Sequence, residues 1–190
     1  MRDTDRGWRS HLGVLADTAA ASLAELEGAR AGFDDVDSPQ ADILPVHALR
    51  EQGFDPRQHL RATRLDRDLG KHGDSGGAEL AQSARVRTGE LDASVVSSVT
   101  LAAVDRLGDA SELRIVSTSP SFHHRCLTRP PGPGAEAHAR PNELLFPMDA
   151  ADPKFCERME LQYVNQWVGF DPDGYRQLVA AVAAGPLVVG

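Results

Sequence analysis

Residues 112–127, ELRIVSTSPSFHHRCL, join a buried-strand pattern to a dense group of polar side chains. The first part, 113–116, is apolar and β-branched, which is typical of a central strand. We predict a strand over 113–118, because the serines and the proline that follow cannot easily prolong it. Ligands of α/β sheets bind in the loops that leave the carboxyl ends of strands, so the stretch predicts a ligand pocket at 117–126.

The composition bounds the fold and the partners. The chain has 190 residues, of which 41% are hydrophobic and 25% are charged, which suits one domain with a single core. We predict a helix-rich α/β or α+β domain over residues 1–190, with a small central sheet and an N-terminal helical layer over 1–92. The formal charge of -8 argues against a nucleic acid or an anionic membrane as partner, because both are bound mainly by basic surface.

The N-terminal residues and the cysteines predict a compartment. The segment MRDTDRGWRSHLG lacks the apolar core of a secretory signal. Apolar runs stay below the roughly eighteen residues that a membrane span needs. The two cysteines, Cys126 and Cys156, are expected to be free thiols in a chain without an export signal. The sequence therefore predicts a cytoplasmic protein with no membrane partner.

The N-terminal part shows a helical period. Apolar residues recur in steps of three and four until Gly28, which predicts one amphipathic helix. The steps are close to a heptad repeat, so the helix either packs on the core or forms the seam of a homodimer. The apolar positions are Trp8, Leu12, Leu15, Ala19, Leu23 and Leu26.

Cap signals place most of the remaining elements. An aspartate followed by a proline is a good helix start, as N-cap and first helical residue. Residues 92–107 favour a helix, with a strand as the alternative, and 70–90 is expected to be partly mobile. Seven of the ten aromatic residues lie between Phe122 and Tyr175, so we expect the core in the C-terminal half. Further helices are predicted over 45–52, 55–69, 152–169 and 171–184, and strands over 143–146 and 186–189.

The leading functional hypothesis is a small enzyme that acts on a small organic substrate, for example a tailoring enzyme. We expect its pocket between 117–126 and 143–149, where two strand ends carry acid–base and nucleophilic groups. His124 is the candidate general acid or base, and Cys126 or Glu143 is the second catalytic group, since a neighbouring cation makes a thiol reactive. The candidate substrate-binding residues are Ser117, Ser119, His123 and Arg125, the last as an anion anchor.

The same side chains raise the possibility of a metal site, because imidazole and thiolate are ligands that zinc prefers. The ligand candidates are His123, His124, Cys126, Glu143, Asp149 and Cys156. Zinc motifs that can be recognised from sequence contain two close ligand pairs, and the second pair is absent here. No metal is therefore assigned.

A second class of function also fits the sequence. The acidic surface and the heptad-like N-terminal helix are typical of a non-catalytic interaction or regulatory protein, with a homodimer as a possible assembly. The two hypotheses differ in what they need from the molecule. An enzyme needs a pocket that carries the histidines, whereas an interaction protein needs an exposed helical seam.

Three short motifs follow one another between residues 117 and 147. They are the Ser-Thr-Ser triplet at 117–119, the Pro-Gly segment at 131–134 and ELLFP at 143–147. Their order resembles that of the ADP-ribosyltransferases of the arginine, Ser-Thr-Ser and glutamate class. The resemblance implies an NAD cofactor supported by the serine, Glu143 on the nicotinamide ribose, and Arg85 or Arg87 on the pyrophosphate. The cofactor thus stays open between none, a metal ion and NAD.

Overall fold

A computed structural model describes residues 1–64, 76–106, 112–127 and 136–184. The chain forms two compact units. The larger, called the sheet unit below, comprises Trp8–Phe122 and Arg176–Gly190. The smaller, called the small unit, comprises Met1–Gly7 and His123–Tyr175.

A mixed five-stranded sheet forms the centre of the sheet unit, with the strand order β3-β2-β4-β1-β5. Strand β2 runs parallel to β3 and β4, whereas β1 is antiparallel to β4 and β5. The carboxyl ends of β2, β3, β4 and β5 therefore lie at one edge of the sheet, together with the start of β1. The strands are β1 (Ser10–Leu15), β2 (Arg30–Phe33), β3 (Arg61–Arg64), β4 (Ala93–Ser97) and β5 (Leu113–Thr118).

Helices surround the sheet and build the small unit. Those of the sheet unit are α1 (Leu44–Glu51), α2 (Pro56–His59), α3 (Gly76–Arg87), α4 (Ser98–Arg106) and α7 (Arg176–Ala183). Those of the small unit are α5 (Glu136–Leu145) and α6 (Cys156–Leu161). A π-helical turn, Pro39–Ile43, leads directly into α1, and 3₁₀ turns cover Asp3–Asp5, Leu23–Leu26 and Pro172–Tyr175.

One apolar cluster forms the core of the sheet unit. Leu12 and Val14 point to the same face of β1 and are buried, while β4 is buried along its whole length as a central strand. The absence of a side chain at Gly32 allows close packing, because a Cβ there would lie 2.7 Å from both Gln82 Oε1 and Leu91 Cδ1. The cluster consists of Leu12, Val14, Leu26, Ala31, Phe33, Ala41, Val46, Leu49, Phe54, Leu60, Ala93 and Val95.

Contacts between its two chain segments hold the small unit together. The N-terminal amino group donates to the Val168 carbonyl at 2.7 Å. The Asp3 carboxylate accepts from the backbone and side-chain amides of Asn165, each at 3.0 Å. Met159 and Val164 are buried. The first seven residues are therefore an integral part of this unit.

Several predictions are confirmed. The fold class is a mixed sheet with helices, and the strand predicted over 113–118 is β5, although it is half-buried at the edge of the sheet and not a central strand. The helix predicted over 45–52 corresponds to α1. Asp55 caps α2, since its carboxylate accepts from the Arg57 amide at 3.0 Å. The last helix follows its predicted course as the 3₁₀ turn at 172–175 and α7.

The prediction of one long N-terminal helix is wrong. Residues 10–15 form β1 and residues 30–33 form β2, so two strands replace most of the predicted helical layer. Leu12 and Leu15 fit a helical step, but Leu12 and Val14 also fit the two-residue period of a strand. The homodimer seam loses its basis, because Leu12 is buried in the core of the sheet unit.

Other element predictions also need correction. Residues 143–145 belong to α5 and not to a strand, and α2 ends at His59, before β3 begins at Arg61. Residues 92–107 divide into β4 and α4, so each of the two alternatives holds for one half. Residues 76–87 form α3, while 65–75 and the strand proposed at 186–189 lie outside the described residues. The main core lies within residues 12–95 and not in the C-terminal half.

Candidate functional site

Buried polar side chains gather at the sheet edge where β2 to β5 end. Burial of a polar group is unfavourable unless it is hydrogen bonded, so such a concentration marks a candidate ligand site. The group, called the polar edge below, consists of Ser10, Ser38, Gln40, Asp42, Glu79, Ser97, Thr100 and Ser119.

Ser38 precedes the helix that starts at the carboxyl end of β2. Its backbone is extended, and its carbonyl accepts from the Asp42 and Ile43 amides, both at 3.0 Å, which closes the π-helical turn. An N-cap serine usually accepts an amide of the first turn through its hydroxyl, but the Ser38 hydroxyl makes no such bond. Ser38 is 8% exposed and its Oγ has no hydrogen-bond partner within the described chain. A buried hydroxyl at a helix N-terminus is suited to bind an anion.

The junction of β4 and α4 supplies a second helix start at the same edge. The Ser97 amide donates to Glu79 Oε2 at 2.7 Å, and the hydroxyls of Ser97 and Thr100 lie 3.2 Å apart. Helix α4 begins at the next residue, Ser98, whose amide donates to the Arg9 carbonyl at 2.8 Å. The hydrogen bond to the buried carboxyl of Glu79 thus holds the end of β4 in place.

Strands β1 and β5 close the polar edge on its other side. The Ser10 amide donates to Ser119 Oγ at 2.9 Å, and the Ser119 amide donates to the Ser10 carbonyl at 2.8 Å. The Ser10 hydroxyl donates to the Gln40 carbonyl. Ser10 therefore connects the sheet to the first turn of the helix that Ser38 precedes.

Two buried carboxyl groups set the electrostatics of this edge. Burial raises the pKa of Glu79, although hydrogen bonds from Ser97 and Thr100 oppose the rise. Burial also raises the pKa of Asp42, against the attraction of Arg64, whose Nε lies 2.6 Å from Asp42 Oδ2. Both shifts are in the direction of the neutral acid.

The predicted substrate-binding serines lie in the sheet unit. Ser117 is half-buried on β5, and its hydroxyl lies 3.1 Å from Nε2 and 3.2 Å from Oε1 of Gln52. Ser119 belongs to the polar edge, where its hydroxyl accepts from Ser10 and donates to the Pro120 carbonyl at 2.9 Å. Both hydroxyls have protein partners, and their role toward a ligand stays a prediction.

The other predicted site residues lie in the small unit. His124 Nδ1 is 3.7 Å from Asp5 Oδ1, with side chains that are 5% and 1% exposed. That separation exceeds a hydrogen bond but allows charge attraction. Burial lowers the pKa of His124, and the proximity of Asp5 opposes this effect. Arg2 donates two hydrogen bonds of 2.6 Å to the Asp5 carboxylate.

His123 has a different carboxylate neighbour. Its Nε2 lies 3.3 Å from Asp171 Oδ2, and its ring packs edge-to-face on Tyr175 with centroids 5.8 Å apart. Burial raises the pKa of Tyr175, and the nearby thiol of Cys126 adds to the rise. The two imidazoles thus have Asp5 and Asp171 as neighbours, while Glu143 is exposed on α5.

The remaining alternatives meet specific obstacles in the structure. The residues that the ADP-ribosyltransferase resemblance singles out lie on helices, Arg85 and Arg87 on α3 and Glu143 on α5. Among the described residues, no group of three or more His, Cys, Asp or Glu side chains is placed to bind a metal ion. None of the described helices is long and apolar enough to cross a bilayer.

A family model describing the periplasmic substrate-binding proteins of phosphonate ABC transporters matches residues 1–175. This chain belongs to that family. The match covers nearly all of both units. The general function of the chain is therefore small-molecule binding, which agrees with the small-molecule partner that the sequence predicted.

Several solved structures share the fold. PhnD1 of Prochlorococcus marinus, determined with methylphosphonate, has a TM-score of 0.69 at 15% identity, over 97% of this chain and 69% of its own. A Xanthomonas citri protein determined with ATP gives 0.68 at 18% identity, over 96% and 67%. The binding protein component of an ABC phosphonate transporter from Pseudomonas aeruginosa gives 0.66 at 13% identity, over 93% and 57%. No curated protein matches the chain.

Membership in this family corrects several predictions. The enzyme hypothesis and both of its alternatives are wrong, because the family consists of substrate-binding proteins. The family match does not test the roles predicted for His124, Cys126 and Glu143, which stay predictions of the sequence. The cytoplasmic assignment is wrong, since the family is periplasmic, and the exclusion of a membrane partner conflicts with a family that serves ABC transporters.

The sequence did not predict Ser38 or the start of α4 as parts of a binding site. No helix start was predicted at residues 38–39, although Ser38-Pro39 has the N-cap and first-position chemistry of a helix start. The same rule was applied to Asp55-Pro56 with success. The sequence did not predict a parallel strand before that helix, because β2 lies in the segment that was predicted as a helical layer.

Proposed function

We propose that this chain is the ligand-binding component of an ABC transporter for small oxyanions of the phosphonate type, and that the polar edge binds the oxyanion. A transporter embedded in the membrane is then its partner. The observation that carries the proposal is the buried Ser38 hydroxyl at a helix N-terminus, without a hydrogen-bond partner in the described chain.

The helix start at Ser38 provides the attraction for an anion. Backbone amides of a first helical turn have no carbonyl of their own helix to bond, and the helix dipole adds positive potential there. Such sites bind phosphate-like groups without a full countercharge. The Ser38 hydroxyl adds a donor whose desolvation has already occurred in the folded protein.

The surrounding hydrogen bonds keep this site in place. Ser10 bonds the Gln40 carbonyl, and Asp34 donates its amide to the Ala41 carbonyl at 3.2 Å. The first turn is therefore anchored to β1 and to the end of β2. A preorganised site loses little conformational entropy when a ligand binds.

The test is a titration of methylphosphonate into the wild-type chain and the Ser38→Ala variant by isothermal calorimetry. A hydrogen bond to a charged group contributes about 1.5–3 kcal/mol, so Ser38→Ala should weaken binding by about tenfold or more. Its unfolding free energy without ligand should stay equal or rise, because the substitution removes an unsatisfied buried hydroxyl.

The exposed Ser121 offers a matched control. Ser121→Ala should keep both the affinity and the stability of the wild type. Equal methylphosphonate affinity of the wild-type and Ser38→Ala chains would overturn the assignment of Ser38 to the site. A wild-type chain that binds none of methylphosphonate, phosphate and sulfate would overturn the proposed function.

A further inference from the structure

A buried carboxyl oxygen without a partner lies in the same helical turn as the Ser38 hydroxyl. Asp42 is fully buried, and its Oδ1 has no hydrogen-bond partner in the described chain. Its other oxygen, Oδ2, accepts from Arg64 Nε at 2.6 Å. The ion pair with Arg64 therefore uses one carboxyl oxygen and leaves the second for a further donor.

The helix geometry directs the Asp42 carboxyl toward Ser38. The Asp42 amide donates to the Ser38 carbonyl at 3.0 Å, so Asp42 lies one turn after Ser38. Side chains of a helix lean toward its N-terminus, which places the Asp42 carboxyl over the turn that begins at Ser38. This turn thus offers a buried hydroxyl donor and a buried carboxyl acceptor, which are not paired with each other.

A singly protonated phosphonate satisfies both groups. Its charged oxygens accept hydrogen bonds, and its P–OH group donates one. A sulfonate at neutral pH has acceptors only, so one of its oxygens would face the Asp42 acceptor, which is unfavourable in a buried site. A site built to bond a ligand hydroxyl rejects analogues that lack it far more strongly than an apolar site can.

The charged neighbours of Asp42 come from three elements. Burial raises the pKa of Asp42, Arg64 and Arg57 oppose the rise, and the Asp34 carboxylate adds to it. Asp34 follows β2, Arg64 ends β3 and Arg57 lies on α2. A carboxylate with a raised pKa holds a proton more tightly than an ordinary one, so Asp42 is a good acceptor for a P–OH group.

We propose that Asp42 determines the specificity of the polar edge by accepting the P–OH hydrogen bond of the bound ligand, so that the site takes singly protonated phosphonates and rejects sulfonates. The inference rests on the proposed function, because it names the form of the oxyanion that Ser38 binds. One ligand oxygen accepts from the Ser38 hydroxyl, and the hydrogen of another lies between the ligand and Asp42 Oδ1.

The test compares methylphosphonate with methanesulfonate, which have the same shape but differ in this proton, by isothermal calorimetry of the wild-type chain. At pH 7 methylphosphonate should bind at least about tenfold more tightly, because methanesulfonate leaves Asp42 Oδ1 without a donor. Raising the pH until the free ligand is a dianion should weaken methylphosphonate binding about tenfold per pH unit, since only the protonated form binds.

The Asp42→Asn variant isolates the role of Oδ1. Its amide oxygen can still accept from Arg64 Nε, while its amide nitrogen puts a donor in place of Oδ1. The variant should lose the preference for methylphosphonate and bind methanesulfonate about tenfold more tightly than the wild type does. Asp17→Asn is the same substitution at an exposed position and should keep the wild-type preference.

Equal affinity of the wild type for the two ligands would overturn the role of Asp42, as would methylphosphonate binding that does not weaken as pH rises. Both results come from the wild-type chain, so they decide the question even where Asp42→Asn does not fold. Methylphosphonate binding that depends on Ser38 but shows no preference over methanesulfonate keeps the proposed function and rejects the role of Asp42. A wild-type chain that binds none of methylphosphonate, phosphate and sulfate overturns the proposed function and this inference with it.

Discussion

At the scale of single residues, Ser38 combines the position of an N-cap with a buried hydroxyl that has no hydrogen-bond partner in the described chain. The π-helical turn after it directs two backbone amides onto its carbonyl and none onto its hydroxyl. π-Helical turns are rare and occur often at functional sites. Native proteins keep few buried polar groups unsatisfied. We propose that a bound ligand explains both the irregular turn and the unsatisfied hydroxyl.

Gly32 permits the close approach of α3 to the sheet. Gly32→Ala should destabilise the protein by about 1–3 kcal/mol, because its Cβ would overlap the Gln82 side chain, which donates to the Phe33 carbonyl at 2.7 Å. Urea denaturation measures the loss. Gly77→Ala on α3 is the matched control, since a Cβ there meets nothing within 4 Å. Equal effects of the two substitutions would contradict the packing role of Gly32.

Glu79 makes stability depend on pH. Its pKa is raised on folding, mainly by burial, so the folded state binds the proton more tightly than the unfolded state. The contribution of Glu79 is therefore fully present below pH 4.5, the ordinary value of a glutamate. It is lost as pH rises through the higher folded pKa.

The Glu79→Gln variant isolates this effect. Its amide oxygen can still accept from the Ser97 amide, but it does not titrate. The stability of the wild type relative to the variant should fall as pH rises above 4.5, measured by urea denaturation across pH 4 to 7. A stability difference that is constant over this range would show that Glu79 does not change its protonation on folding.

At the scale of elements, the start of the chain is held to the segment at His123–Arg125 within the small unit. The Asp5 carboxylate is 1% exposed and meets both Arg2 and His124. The His124 amide donates to the Asp5 carbonyl at 2.8 Å. Arg2, Asp5 and His124 thus form one polar group within the small unit, in which Arg2 and the buried Asp5 make an ion pair.

Asp5→Asn should destabilise the protein by about 3 kcal/mol, because removal of one member of a buried ionic group leaves the other charges uncompensated. Urea denaturation at pH 7 measures the change. Asp17→Asn, at an exposed position, is the control and should change stability by less than about 0.5 kcal/mol. A loss no larger than that of the control would contradict a structural role for this charged group.

The elements also show what the sequence could predict. The sequence predicted β5 because its apolar, β-branched run ends in serines and a proline. It predicted α1 from Pro45 at its start and Gly53 after its end. Strand β1 was missed because Leu12 fits both a helical and a strand period. Residues 136–145 were not predicted as a helix because Pro141 lies inside it, where proline normally ends a helix.

The candidate site was predictable only in part. The sequence placed a ligand at the carboxyl end of β5, and Ser119 does belong to the polar edge. It missed Ser38, Ser97 and Glu79, because these residues are distant in sequence and meet only through the strand order β2-β4-β1-β5. The histidines were predicted as site residues because imidazoles are reactive, whereas the proposed oxyanion binding needs hydroxyls and backbone amides.

At the scale of the whole molecule, the family assignment changes which chemistry the chain has to perform. A substrate-binding protein must hold and release its ligand, so it needs no catalytic nucleophile. A formal charge of -8 does not prevent this, because local helix termini and hydroxyls determine the potential at the site. The net charge argued against nucleic acid as a partner, and it carried no information on the binding of a small ligand.

The most direct test of the central claim is a crystal structure of the chain with methylphosphonate. We expect a phosphonate oxygen at about 2.7 Å from Ser38 Oγ, the usual distance of a hydroxyl donor to a charged oxygen, with further oxygens at the first turn of the helix 39–51. A methylphosphonate bound elsewhere, with the Ser38 hydroxyl still without a partner, would contradict it.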